Sequence, residues 1–158
     1  EIRLSLVGSE MCIRDRPTDS GREDYVQGKQ SFIRSVLRRA LSDMLLGKMV
    51  DILIDRPFGS HHPKHTDMIY PLNYGYVPHI FSADGEEVDV YLLGVSQPVE
   101  KYKGRVIAVI HRLDDVEDKW IAAPTGVIFT PDEIEKAVNF QEQYFQHEIE
   151  MLDPNGDQ

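Results

Sequence analysis

The sequence predicts a mainly β domain of the α+β class: an antiparallel sheet that curls or closes, with one C-terminal helix packed on it. Three observations carry that reading. First, four short segments rich in β-branched residues, MVDILID (49–55), EVDVYLL (87–93), GRVIAVIH (104–111) and KWIAA (119–123), are each bounded by Gly, Pro or Asp, as strands are. Second, the connections between them lack helical periodicity, which argues against βαβ units and a parallel Rossmann-type sheet. Third, a helix start is marked by Thr130 as N-cap, Pro131 at the first helical position and Glu133 in capping-box position. The stripe Ile134, Val138, Phe145, Ile149 and Leu152, with Phe140, Tyr144 and Met151 beside it, predicts that this helix runs to about Leu152, where Asp153-Pro154-Asn155-Gly156 ends it.

The chain has 158 residues, the size of one domain, and at 41% hydrophobic and 28% charged it has an ordinary globular composition. The longest clean apolar run, Val106 to Ile110, is strand-sized and far short of the roughly 18 residues of a spanning helix. No membrane partner is expected. A single cysteine, Cys12, cannot form an internal disulfide, so the cytoplasm is the expected compartment. With 27 Asp+Glu against 17 Lys+Arg the net charge is -10, which repels the phosphate backbone of nucleic acids. A small partner that brings cations fits better.

The charge is uneven. Residues 1–43 hold eight Lys+Arg against seven acids, while residues 44–158 hold nine against twenty and all six histidines. The stretch PTDSGRED (17–24) has linker chemistry, and SLVGSEMCIRDR (5–16) resembles translated sequencing-adapter sequence. A short basic amphipathic helix is predicted at 30–42, with Phe32, Val36, Leu37 and Leu41 on one face. The expected organisation is therefore an artefactual or disordered leader over 1–43 and a folded domain over 44–158, with Met44 or Met49 as candidate starts.

Three segments carry chemistry. Asp84-Gly85-Glu86-Glu87-Val88-Asp89 places carboxylates around a glycine turn at a strand start. If Asp84, Glu86 and Asp89 face one cavity, their repulsion is relieved by hard cations, Mg²⁺ or Mn²⁺. Tyr70-Pro71-Leu72-Asn73-Tyr74-Gly75-Tyr76 is a dense aromatic segment shortly before the acids, and Asp114-Asp115-Val116-Glu117-Asp118-Lys119 is a second acid cluster ending in a lysine. Acids, tyrosine hydroxyls and lysine together suit a metal-phosphate site. Taken singly, the first two also read as a hairpin turn and a core aromatic cluster, and the third as a solvated loop.

The order of the motifs, YPxNYGY, then DGxxxDV, then an acid cluster ending in K-x-x-A-x-P, then F-x-E-x-Y in the helix, resembles the family I soluble inorganic pyrophosphatases from about residue 44 to 152. The resemblance implies an OB-like five-stranded barrel, several Mg²⁺ ions and hydrolysis of pyrophosphate to two phosphates by metal-activated water. It also implies a small phosphate substrate and a homo-oligomer. Carried over by motif position, Asp84, Glu86 and Asp89 become metal-binding catalytic acids, with Glu86 standing where the family has aspartate. Asp114 or Asp115 becomes the next metal ligand, and Glu117 or Asp118 the one before Lys119. Asp55 stands where the family has a glutamate. Lys64, Tyr70, Tyr74, Lys119 and Tyr144, with Arg56 nearby, become the substrate contacts.

Two departures from the family's pattern matter. The arginine-bearing hairpin before YPxNYGY is missing, and Phe145 stands where a lysine is expected after the helix tyrosine. Arg56, His61, His62, His65, His111 and Arg112 are candidate replacements for those cations; a Zn²⁺ site in HHPKH lacks the helix that such histidine pairs need. Hydrolysis of a larger phosphoanhydride such as a nucleotide, or a relative that binds without turnover, are the alternatives to pyrophosphate hydrolysis.

Overall fold

The computed structural model of the chain describes residues 19–153; the adapter-like stretch, Cys12 and residues 154–158 lie outside them. The elements are α1 (Asp19–Leu45), β1 (Met49–Arg56), β2 (Asn73–Phe81), β3 (Glu87–Leu92), β4 (Lys101–Arg112), β5 (Lys119–Ala123), α2 (Pro131–Glu142) and β6 (His147–Met151). Five strands close on themselves in the order β1-β2-β3-β5-β4, with β4 pairing back to β1. The result is the OB-like barrel with a packed helix.

Closure depends on the length of β4. Its first residues, Lys101 to Arg105, pair with β1, and its last, Ala108 to Arg112, pair with β6. The opposite edge of β4 pairs with β5, so β1 and β6 share one edge in succession. Every pair is antiparallel except β3 and β5, which run parallel. That corrects the expectation of a wholly antiparallel sheet, and the cause is that β4 is inserted between β3 and β5 in sequence but not in space.

Alternation along the strands sorts the side chains into two layers. Val50, Ile52, Val77, Val88, Val90, Leu92, Val106, Val109, Trp120 and Ala122 fill the barrel. Tyr91, Leu93, Ala108, Ile110 and Ile121 point outward and are covered by Ile134 and Val138 of α2. Asp89 and Lys119 belong by alternation to this outer layer.

The α2 cap is as expected: the Thr130 side chain accepts from the Glu133 N–H, and the Glu133 carboxylate accepts from the Thr130 N–H at 2.8 Å. The helix stops at Glu142, however, ten residues before Leu152. The apolar residues that extended its stripe, Ile149 and Met151, instead pack on the outer layer from β6. HEIEM alternates as well as it follows a helical face, and the unpaired edge of β4 decides the matter by offering it backbone hydrogen bonds.

The chain divides into two compact units, Glu1–Leu37 and Arg38–Gln158, and α1 crosses the division. Residues 19–24, expected as linker, are helical, and the helix predicted at 30–42 extends from Asp19 to Leu45. In the first unit Val26, Phe32, Ile33, Val36 and Leu37 are exposed. In the second, Leu41 and Leu45 pack on the barrel core and Ser42 is fully buried. A pair of truncations compares a domain that begins at the unit division, Arg38, with one that begins at the candidate start Met44. Removing residues 1–37 is expected to leave the urea midpoint unchanged, whereas removing 1–43 strips the apolar contact of Leu41 and should cost about 1–2 kcal/mol; equal midpoints would mean that residues 38–43 add nothing to the fold.

Candidate active site

The aromatic segment owes its shape to three different demands. Asn73 is buried with all its hydrogen-bonding capacity used: Oδ1 accepts from the N–H groups of Phe58 (2.9 Å) and Val99 (3.3 Å), and Nδ2 donates to the carbonyls of Val95 (3.0 Å) and Gln97 (2.9 Å). It pins two loops to one end of the barrel. Gly75 lies where β2 crosses β1 so closely that a Cβ would stand 1.9 Å from the Leu53 carbonyl oxygen; no side chain fits there. Tyr70 and Tyr74 stack on each other, with ring centroids 5.7 Å apart, and Tyr74 leans on Tyr91 at 5.1 Å.

Above these rings the outer faces of β3 and β5 bring Asp89 and Lys119 together. The parallel register pairs Val90 with Trp120, so the residues just before each are neighbours. The Lys119 ammonium donates to Asp89, to the Tyr74 hydroxyl at 2.9 Å, and bridges to Glu117 at 2.8 Å. Lys119 is almost fully buried. Asp55 joins from the end of β1, within electrostatic reach of Asp89 and Lys119, and pairs with Arg56 at 3.2 Å. The Arg56 charge in turn opposes the burial that raises the pKa of the Tyr70 hydroxyl.

The electrostatics are those of carboxylates short of positive charge. Burial first, and then the hydrogen bond with Asp89, push the Glu117 carboxyl up to about 7. For Asp89 burial acts upward too, but hydrogen bonds from Glu117, Lys119 and Tyr74 outweigh it and hold the carboxyl below its ordinary value. Asp89 and Glu117 therefore titrate as a pair, Asp89 held low by its donors and Glu117 pushed up by burial. Asp55 is also raised, mainly by burial.

The remaining expected site residues fall elsewhere. Asp84 and Glu86 are exposed at the tip of the β2–β3 hairpin, where Asp84 Oδ1 accepts from the Ser82 hydroxyl and from the Glu86 N–H at 2.9 Å. Asp118 faces away from Lys119, pairing with Arg38 at 3.2 Å and His111 at 3.0 Å. Asp115 pairs with Arg112 at 3.2 Å, and Asp114 accepts from the Gln146 N–H at 3.1 Å. Tyr144, in the turn after α2, is 69% exposed. Lys64 is exposed on the β1–β2 loop. Among the described residues no three or more His, Cys, Asp or Glu side chains are gathered to hold a metal ion, so Asp84, Glu86 and Asp89 do not form one preassembled cluster.

Sequence reasoning missed the support beneath the site. Glu142, the glutamate of F-x-E-x-Y, is 0% exposed and accepts from the Tyr91 hydroxyl at 2.6 Å and from Arg112 Nε and Nη2 at 2.9 and 2.7 Å. The Arg112 guanidinium stacks 3.7 Å over Phe145 and reaches Glu117 at 3.6 Å. Arg112 is therefore a buried strut, and not a cation available to replace those the sequence lacks. The signal was present in a glutamate amid the apolar residues of α2, but nothing in the sequence shows which cation meets it.

Two histidines have raised pKa values. For His111 the Asp118 hydrogen bond is the main cause, with Glu150 at 2.8 Å on the other nitrogen. For His147 burial acts downward, but Glu135 at 2.9 Å and the Phe145 carbonyl outweigh it. A raised histidine stabilises the fold fully below its unfolded value of 6.5 and loses that contribution as pH rises through the folded value. Glu117 acts in the same direction between 4.5 and about 7. The melting temperature is therefore expected to fall from pH 6 to pH 8, and His111→Gln with His147→Gln should flatten the profile; a profile equally steep in the double variant would refute the assignment.

The profile of the inorganic pyrophosphatase family matches residues 55–151, which contain every residue of the Lys119 cluster. The chain belongs to that family. An inorganic pyrophosphatase of Rickettsia felis is 38% identical over 65 residues, covering 39% of this chain and 38% of that protein. One from Rhodospirillum rubrum is 60% identical over 30 residues, covering 19% of this chain and 17% of its own. These alignments therefore span well under half the length of the curated pyrophosphatases they match. Among solved structures, the inorganic pyrophosphatase of Ehrlichia chaffeensis superposes with a TM-score of 0.53 at 20% identity, over 68% of this chain and 88% of that one. That of Coxiella burnetii gives 0.51 at 19% identity, over 68% and 88%. These likenesses establish the barrel fold.

Proposed function

We propose that the chain hydrolyses a phosphoanhydride, most simply inorganic pyrophosphate, at the outer-face cluster of Asp55, Asp89, Glu117, Lys119, Tyr70, Tyr74 and Arg56. The observation that supports it best is the buried Lys119 ammonium held among Asp89, Glu117 and the Tyr74 hydroxyl, in a chain whose family is the pyrophosphatases. A divalent metal fits the donor chemistry. Asp55, Asp89 and Glu117 offer hard carboxylate oxygens, and the proton that Glu117 retains to about pH 7 marks a surplus of negative charge that a cation would relieve. Among the described residues these three are not gathered into a ready-made metal site either, so a cation would have to draw them together, with Asp84 and Glu86 of the hairpin tip as further acids. Mg²⁺, or Mn²⁺ in its place, would supply polarisation of phosphoryl oxygens and a lowered pKa for water.

The protein's own groups have defined tasks in this reading. Lys119 and the Tyr74 hydroxyl hold phosphate oxygens from the barrel side, and Arg56 does so from the end of β1. Lys64 and Tyr144, both exposed, can meet substrate only from its outer side. Glu117, whose raised carboxyl belongs to the metal-free site, gives up its proton when a cation binds and serves as an anionic oxygen donor. Arg112 keeps Glu117 in place from below.

Phosphate release from pyrophosphate, a nucleoside triphosphate and a short polyphosphate, each with and without Mg²⁺, tests the proposal. Mg²⁺-dependent release from pyrophosphate is expected, and release from none of the three would refute hydrolysis. Small net charge changes would not mimic this, since the readout is a covalent product.

A further inference from the structure

Residues 22–37 of α1 are exposed along their whole length. Helical periodicity puts Tyr25, Val26, Phe32, Ile33, Val36 and Leu37 on one side of it, and all six stay exposed, Phe32 to 68%. The span is poorly suited to stand alone as a helix. Gly28 lies in its interior, Val26, Ile33 and Val36 are β-branched, and the Ser35 hydroxyl donates to the Phe32 carbonyl at 2.7 Å, in competition with the helical ladder. A helix of such composition takes its stability from the packing of its apolar face. Among the described residues nothing covers that face.

The charged residues indicate what fits there. Over 19–37 the acids are Asp19, Glu23 and Asp24, all near the start, and the cations are Arg22, Lys29 and Arg34. The two sets balance, so an anionic lipid surface has no electrostatic hold on this segment. Glu23 and Arg34 are eleven residues apart, close to three whole turns, and therefore lie on the same flank of the apolar stripe. Arg39 is paired with Asp43 at 3.3 Å within its own helix, whereas Glu23 and Arg34 have no ion-pair partner among the described residues.

That distribution is self-complementary in one orientation. Two copies related by a two-fold axis across the helix lie antiparallel and bring the flank against its own image, so each Glu23 meets the Arg34 of the other copy. A parallel pair would set Glu23 of one copy level with Asp24 of the other, acid against acid, and leave Arg34 beside a serine. Lys29 falls within the stripe, and its ammonium leaves the seam by extending its stem over the neighbouring apolar side chains; the contact is reversible and not an obligate core.

We propose that residues 22–37 of α1 are a pairing surface for a second copy of this chain, antiparallel through the stripe from Tyr25 to Leu37, with Glu23 of each copy against Arg34 of the other. None of these residues belongs to the adapter-like stretch 5–16 or to the Lys119 cluster, so the pairing is independent of the hydrolytic reading.

Sedimentation equilibrium of the full chain tests it. The parent is expected to pass from monomer to dimer as its concentration rises. Phe32→Gln, which keeps helix propensity and charge but removes apolar contact, should raise the dissociation constant at least tenfold, and Glu23→Arg and Arg34→Glu should each raise it by about tenfold, because each turns two attractive pairs into repulsive ones. The decisive sample is an equimolar mixture of the two charge variants. In an antiparallel heterodimer the introduced Arg faces the introduced Glu, and the native Arg34 of one chain faces the native Glu23 of the other, so the mixture should dimerise as tightly as the parent. All of these positions are exposed, so the barrel should fold in every variant. A parent that stays monomeric up to its solubility limit overturns the proposal, as does an oligomer indifferent to Phe32→Gln and to both charge variants. A mixture no tighter than either variant alone overturns the antiparallel arrangement. Flotation of a monomeric parent with phosphatidylserine vesicles would assign the face to a membrane and overturn the proposal as well.

Discussion

Asp89→Asn is expected to lower Mg²⁺-dependent phosphate release by about 10²–10³-fold, the scale of removing one preorganised charged group from an active site. The substitution keeps the size of the side chain and an oxygen that can still accept from Lys119, so the fold should persist. The rise in melting temperature on adding Mg²⁺ should shrink, because less metal binds the native state. Asp84→Asn and Glu86→Gln serve as the comparison. At the hairpin tip Asp84 Oδ1 already serves the turn, so if catalysis centres on Lys119 these two should lose no more than about tenfold, the cost of one hydrogen bond. Equal losses in all three would instead make the acid turn the centre, and full activity in Asp89→Asn would refute the proposed site altogether.

The largest effect on stability is expected at Arg112. Arg112→Met removes the two hydrogen bonds that neutralise a fully buried Glu142, and stranding such a charge costs about 3–5 kcal/mol. Urea unfolding measures it. The double variant Arg112→Met with Glu142→Gln should recover part of that loss, because the remaining amide can be satisfied by the Tyr91 hydroxyl and no charge is left unpaired. Additive losses in the double variant would mean that the two residues act independently. Since Arg112 also borders Glu117, kcat should fall more than KM rises in any Arg112 variant that still folds.

Local chemistry made much of this molecule legible. The four predicted strand segments all fall on strands, with only Leu93 lying past the end of β3, and 119–123 matches β5 end to end. Thr130, Pro131 and Glu133 mark the start of α2 because a capping box is made and satisfied within four residues. The far end of α2 was not legible, because HEIEM suits both a helical face and an alternating strand. The strand β2 was read only as an aromatic motif, since Pro78 and the irregularity between Val77 and Phe81 interrupt its alternation.

The sequence by itself determined which residue types are available: acids on a glycine turn, a lysine opening a strand, two tyrosines four residues apart, and a family-specific order among them. It also determined the faces, because period-two alternation sends Val88, Val90 and Trp120 inward while Asp89 and Lys119 go outward. Only the tertiary structure decided which acids meet the lysine. Asp89 and Lys119 stand 30 residues apart in the chain and become neighbours through the parallel pairing of β3 with β5 around the inserted β4, a long-range choice that no local pattern encodes. The structure also separates Glu117 from Asp118, the two residues just before β5: one joins Lys119 and the other joins His111 and Arg38. Register across a closed barrel is fixed by the packing of its whole interior, and that is why the cluster becomes visible only once the barrel has closed.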